Sequence, residues 1–412
     1  VQLSADVACK KLKCYKDDVH TRFYSDLAAP DPCSPIFTCH FCPSSGYEHW
    51  VALANEDGRI IIMDTREKKS DENTFMSVQG HNNAIFDLIW ANFDVKLISG
   101  SGDHTAVLWD VAEGEIKPVL NFRGHTRSVK TITCRPNDRN AFATGARDGT
   151  INIWDFRTDS EVNVIKPENS ISLSHSSPKF RRTQQFRQDS ITGLVFQDEN
   201  TLISCSAGDG AIKVWDSRKS YSIYKRQPQP RHVLMHTGKT ARNGFTWLTI
   251  SPCGLKLFAN SIDSTIYCYN IGTYNKEPFT YYKGHLTSSF YIKHAVSSDG
   301  KYLASGSCDE KAYIWSVSSP DKPIVSLNSH TAEVTCVDWC MKGEMKMATC
   351  SDDGSYRIWR LYPKDSTSQD PDLKGTAVEY EQVCESEVAS CKRKKPKTAL
   401  LPKKMHLGTY YS

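Results

Sequence analysis

Residues 148–157 read Asp148-Gly149-Thr150-Ile151-Asn152-Ile153-Trp154-Asp155-Phe156-Arg157. A turn is followed by alternating polar and apolar side chains from Thr150 to Trp154, the pattern of a β-strand with one buried face. An aspartate followed six residues later by a large apolar residue occurs seven times. The pairs are Asp57/Met63, Asp103/Trp109, Asp148/Trp154, Asp209/Trp215, Asp263/Tyr269, Asp309/Trp315 and Asp353/Trp359. The large residues lie 46, 45, 61, 54, 46 and 44 positions apart, so a repeat architecture is the first conclusion.

Four pairs have a histidine upstream, namely His81, His125, His285 and His330, at 28, 29, 30 and 29 residues before the large residue. Each of these repeats also carries Ser or Thr four residues before its aspartate, at Ser99, Thr144, Ser305 and Thr349. A buried Asp–His–Ser/Thr–Trp hydrogen-bond network explains the grouping, since each polar group would otherwise be buried unsatisfied. The pattern resembles WD-repeat propellers. The expected fold is all-β, a seven-bladed WD-repeat β-propeller over residues 31–361. Residues 1–30 form either a helix or a closing strand, and residues 362–412 a disordered tail. Because the polar set recurs blade after blade, it reads as structural; a catalytic group would be unique.

Composition narrows the partners. The 412 residues are 39% hydrophobic and 24% charged, enough apolar material for a large core. No run of about 18 apolar residues offers a membrane span, and the first residues lack the apolar core of a secretory signal. The net charge of +4, from 51 basic and 47 acidic residues, is too balanced for a nucleic-acid surface over the whole molecule. Fifteen scattered cysteines form no disulfide framework and fit a reducing compartment. Cys39-His40-Phe41-Cys42, with Cys33 upstream, lacks the second ligand pair of a zinc site, so no metal and no cofactor are expected.

The long interval between Trp154 and Trp215 holds an insert at 158–190 with Lys166, Lys179, Arg181, Arg182 and Arg187 and little apolar material, which predicts a flexible surface loop. Residues 365–390 then carry seven acidic residues and one lysine. The run Lys392-Arg393-Lys394-Lys395-Pro396-Lys397 follows, and it reads as a nuclear localisation signal. Basic insert and basic tail together allow direct DNA contact. At the end, Leu407, Tyr410 and Tyr411 are spaced to share one side of a short helical turn. They resemble the PCNA-interacting box, with Lys404 where that box usually begins with glutamine.

Two blades end in Trp154-Asp155-Phe156-Arg157 and Trp215-Asp216-Ser217-Arg218. With Asp148 and Asp209 before them, these endings resemble the adaptor-binding box of cullin–RING ligase receptors. The stretches Asn83–Leu88, Phe196–Leu202, Asp209–Asp216 and Ala348–Asp353 further resemble the denticleless family. The similarity extends over most of the propeller, weakest in blades one and five, which have Met63 and Tyr269 in place of tryptophan. The resemblance implies a nuclear, non-catalytic substrate receptor of a cullin-four RING ubiquitin ligase. Its adaptor, the damaged-DNA-binding large subunit, would dock through Asp148, Trp154, Asp155, Arg157, Asp209, Trp215, Asp216 and Arg218. Its substrates would be degron proteins bound to PCNA on chromatin, such as the replication-licensing factor, marked for degradation in S phase or after DNA damage. Leu407, Tyr410 and Tyr411 would tether the receptor to PCNA. The competing reading is a generic nuclear WD scaffold or histone reader. No phosphate-cradling loop, nucleophile elbow or His-Glu-x-x-His supports an enzyme.

Overall fold

Each Asp-to-Trp copy folds as the turn between the second and third strands of an antiparallel sheet, the third strand ending on the large residue or just beyond it. A computed structural model describes residues 8–20, 34–66, 75–91, 94–112, 114–157, 164–180, 183–221, 228–235, 244–343, 345–362 and 371–380. Within them the strands form seven four-stranded units, the number of copies in the sequence. Blade three shows the plan: Val129–Cys134, Ala141–Ala146, Ile151–Asp155 and Asn169–Ile171 pair in that order. The innermost strands of successive blades are neighbours, and the ring closes where Val334–Trp339 of blade seven meets Ile36–Phe41 of blade one. There the Thr335 hydroxyl donates to the Ile36 carbonyl, and the Phe41 amide donates to Asp338 at 2.7 Å.

The core lies between the blades, because each sheet buries both faces. Ile98 and Leu108 of blade two pack with Val129, Ile132, Phe142 and Trp154 of blade three. Met63, Trp109, Trp154, Trp215, Tyr269, Trp315 and Trp359 are all buried. One such side chain contributes about 1.5–3 kcal/mol of burial energy, so the missing tryptophans at Met63 and Tyr269 cost packing detail but not the architecture. Among the described residues no helix is long and apolar enough to cross a membrane.

Three segments differ from a bare repeat. Leu12–Tyr15 is the outer strand of blade seven, pairing antiparallel through Leu12 opposite Leu361 and Lys13 opposite Arg360. The start of the chain thus closes the ring with a strand, not a helix. The insert at 158–190 is not all loop. Asn169–Ile171 is the fourth strand of blade three, Val164–Ile165 runs parallel to Asn121–Phe122, and Ser176–Phe180 forms a hairpin with Thr183–Gln188. Ile165 and Ile171 are buried and help to anchor it.

Part of the expected tail also belongs to the propeller. Leu373–Glu379 pairs with Leu12–Tyr15 on one side and with Val325–Asn328 on the other, joining the outer edges of blades six and seven. Gly375 makes this possible. A Cβ there would sit 2.8 Å from the Trp359 ring and 2.7 Å from Ser329 Cβ, so only a residue without a side chain lets the strand lie this close. The acidic average over 365–390 masked a seven-residue strand.

Candidate functional site

The repeated polar set comes first, since it could be mistaken for catalytic machinery. In blade three, His125 Nδ1 faces Asp148 at 3.2 Å and its Nε2 faces the Thr144 hydroxyl at 2.7 Å, while Trp154 Nε1–H donates to that hydroxyl at 2.8 Å. Asp148 accepts the Nδ1 proton, so Nε2 must accept from Thr144, which accepts in turn from tryptophan; every proton has one place. Blade two repeats this with His81, Asp103, Ser99 and Trp109, and blade seven with His330, Asp353, Thr349 and Trp359. Burial works to raise the Asp148 and Asp353 carboxyls, but the histidine hydrogen bond and charge, together with the Thr126 and Thr150 amides at Asp148 and the Ser355 hydroxyl and Thr331 amide at Asp353, outweigh it and hold both below the usual range. These largely buried networks lock the strands of a blade together.

Two corrections to the sequence reading follow. His285 joins no such network: its Nε2 meets Asn260 Oδ1 at 2.9 Å, while Trp315 donates to the Lys283 carbonyl. Asp309 is taken by the Tyr313 hydroxyl, as Asp263 is by Tyr267. A tyrosine four residues after the aspartate is the signal that could have revealed this. Conversely, blade four does have a histidine. His175 faces Asp209 at 2.7 Å and Ser204 at 2.8 Å, and Trp215 donates to Ser204 at 2.8 Å. The hairpin lies between His175 and the rest of its blade, which hides the usual spacing.

The two Trp-Asp-x-Arg endings adopt one geometry. Asp155 closes the third strand of blade three and accepts from the Arg157 amide at 2.8 Å and from Nε at 3.0 Å, with Nη2 on its other oxygen. Asp216 holds Arg218 in the same way, with Nε at 3.0 Å and Nη2 at 2.9 Å. The arginine hydrogen bonds depress both carboxyls, Asp216 to about 2. The aspartate thus fixes each guanidinium, yet the arginine side chains stay 68% and 66% exposed, with donors pointing to solvent. Asp148, Asp209, Trp154 and Trp215 lie in the interior networks above; they brace these endings from within and offer no exposed contact of their own.

A third clip escaped sequence reading. Asp64 holds Arg66 through the amide at 2.9 Å, Nε at 3.2 Å and Nη2 at 2.7 Å, and this arginine is 66% exposed. It sits at the end of the third strand of blade one, equivalent to the other two. Met63 in place of tryptophan concealed it, although Asp-x-Arg was there to find. Blade two has Asp110-Val111-Ala112 at this point and offers no arginine.

The cysteine reading also changes in detail. Cys39 does not group with Cys42; its sulfur meets those of Cys336 and Cys350, all within 4.8 Å and fully buried at the seam of blades one and seven. No fourth ligand joins them among the described residues, short of the usual four of a structural zinc site. The basic cluster Lys392, Arg393, Lys394, Lys395 and Lys397, and Leu407, Tyr410 and Tyr411, lie outside the described residues, as do Arg181 and Arg182 of the insert.

Comparison with known proteins bears on the family. The WD domain, G-beta repeat family matches residues 73–110, 116–155, 179–216, 276–316 and 321–360. The chain is 44% identical over 376 residues to Protein lethal(2)denticleless of Drosophila melanogaster, covering 87% of this chain and 49% of that protein. It is 37% identical over 407 residues to the Denticleless protein homolog of Mus musculus, covering 95% and 55%, and 38% identical over 364 residues to that of Homo sapiens, covering 85% and 49%. The chain therefore spans about half the length of the curated relatives it matches. With the repeats, the strand-built blades and this identity over most of its length, the chain belongs to the denticleless family of WD-repeat proteins.

Proposed function

We propose that the protein is a non-catalytic substrate receptor of a cullin-four RING ubiquitin ligase, docking on the damaged-DNA-binding large-subunit adaptor. The observation that carries this is the matched pair of clips, Asp155–Arg157 and Asp216–Arg218, on the same rim of adjacent blades. Each presents an arginine pre-set by its own aspartate, so less rotamer freedom is lost on binding a carboxylate or carbonyl. Arg66 extends the same rim from blade one.

On this reading the tail supplies two further functions. Lys392, Arg393, Lys394, Lys395 and Lys397 direct the protein to the nucleus. Leu407, Tyr410 and Tyr411 plug into PCNA and tether the receptor beside PCNA-bound degron proteins, which raises their effective concentration. Ubiquitin transfer belongs to the RING subunit and its ubiquitin-carrying enzyme.

The test is a pull-down of the purified chain with the adaptor, comparing wild type with Arg157→Ala/Arg218→Ala. Both side chains are exposed, so the double variant keeps the wild-type melting temperature while adaptor capture is lost. A folded double variant that still captures the adaptor sinks the receptor reading in favour of a nuclear scaffold. DNA contact through the basic insert and tail is separable, because its affinity falls steeply with salt.

A further inference from the structure

The clips occupy one end of the propeller; the other end has a site of different chemistry. Successive strands of a blade run antiparallel, so Arg147, after the second strand of blade three, lies across the sheet from Arg157, after the third. Beside Arg147 at the mouth of the central channel is a cavity of about 270 Å³. Phe37, Phe86 and Tyr291 stack along it, with Phe86 and Tyr291 at 5.8 Å and 9° between planes. Tyr291 remains 39% exposed.

Two cations face this stack with their charge unanswered. Lys130 Nζ lies 3.0 Å over the Phe86 ring and 5.2 Å from Tyr291. Burial, with Arg147 and Lys293 nearby, pushes it down to about 7. Lys293 differs, having Asp87 at 2.7 Å and the Phe86 carbonyl at 2.9 Å. Among the described residues no carboxylate pairs with Lys130 or Arg147. The ring face attracts the Lys130 ammonium, but burial and the like charges of Arg147 and Lys293 disfavour it, a cost that an incoming anion would relieve.

We propose that this mouth binds an acidic side chain of a peptide segment, its carboxylate or phosphate seated between Lys130 and Arg147 and an apolar or aromatic neighbour lying on Tyr291. A nucleic-acid backbone fits less well. Glu56, Glu333 and Asp352 lie close enough to act electrostatically on the same tyrosine, and Asp352 is pushed up to about 7 by burial and by Glu333 and Glu56. A polyanion would meet these acids, whereas a single acidic side chain between neutral neighbours avoids them. On the receptor reading this is a cargo face opposite the adaptor. That last step rests on that reading; the site itself does not.

The experiment uses the purified full chain without adaptor, so its outcome is independent of the clips. Fluorescence polarisation compares a labelled Gly-Ser-Glu-Tyr-Gly-Ser peptide with its Gln counterpart, a phosphoserine version and an eight-nucleotide oligothymidine. The expected result is that the Glu or phosphoserine peptide binds about tenfold or more tighter than the Gln peptide, and that Lys130→Met and Arg147→Gln each remove about tenfold. Arg147 is exposed, so its variant keeps the test meaningful even if Lys130→Met disturbs packing. The site is refuted by no binding, by equal binding of Glu and Gln peptides, or by an unchanged affinity in both variants. Tighter oligothymidine binding, or displacement by equimolar inorganic phosphate, refutes the peptide assignment.

Discussion

At the scale of single residues, the aspartates that anchor each turn were legible in the sequence, and so were their histidine, hydroxyl and tryptophan partners in blades two, three and seven. In blades four and six the partners were not, because partner choice depends on what else reaches the carboxylate. Thr144 and Ser305 occupy equivalent sequence positions and have different roles. Thr144→Val orphans both His125 Nε2 and Trp154 Nε1–H in the core and should cost about 2–4 kcal/mol. Ser305→Ala, which removes only a hydrogen bond to the Gly306 carbonyl, should cost less than about 1 kcal/mol. Denaturant midpoints decide this; equal costs would mean that the network adds nothing. Histidines outside the networks set a pH response. Burial pushes His285 down to about 4 and, with His285 beside it, pushes His294 down to about 3. The unfolded chain takes up protons near 6.5 that the fold refuses. Stability is therefore present above that value and falls as pH drops, by up to about 1.4 kcal/mol per pH unit for each histidine. Asp352, raised to about 7, works in the opposite direction, so wild type must be compared with a variant. His294→Leu should lose less stability than wild type between pH 6.5 and 5, and an identical slope by urea titration would contradict the buried neutral ring.

At the scale of elements, legibility follows strand position. The second and third strands carry a turn, an aspartate and a buried aromatic, so their pattern survives variation. Some outer strands are short, and three residues such as Asn169–Ile171 are too few to show alternation, which is why the insert read as loop. Leu373–Glu379 is seven residues long but lies within an acidic stretch, and so it read as tail. The clips divide in the same way: Arg157 and Arg218 were found through their tryptophans, and Arg66 was not. The strand Leu373–Glu379 gives a direct test, since it covers two edges at once. Gly375→Val forces a side chain into the Trp359 ring and Ser329, and should release this strand while leaving the seven blades folded. Hydrogen exchange should then quicken at the amides of Leu12–Tyr15 and Val325–Asn328 and remain slow in the inner strands. Unchanged protection at both edges would show that the strand contributes no cover.

At the scale of the whole molecule, a propeller leaves only the outer edge of each blade open, and blade seven takes the strand beyond Tyr356–Leu361 from residues 12–15. Leu12 and Cys14 are fully buried there, and Asp18 holds Arg360 at 2.8 Å and Tyr362 at 3.0 Å. Leu12 alone contributes about 2 kcal/mol of burial energy, a large share of a total of about 5–15 kcal/mol. Removing residues 1–20 also uncovers the Tyr356–Leu361 edge and weakens the seam where Thr335 and Asp338 bond to blade one. An open, apolar strand edge pairs with another copy of itself. The shortened chain should therefore melt several degrees lower and associate with rising concentration in light scattering. A chain cut after residue 380 keeps every described strand and should remain like the full protein in both measurements. If instead the chain lacking residues 1–20 stays monomeric with an unchanged melting temperature, the ring is held by its inner strands alone, and the closing strand is decoration on a fold already complete.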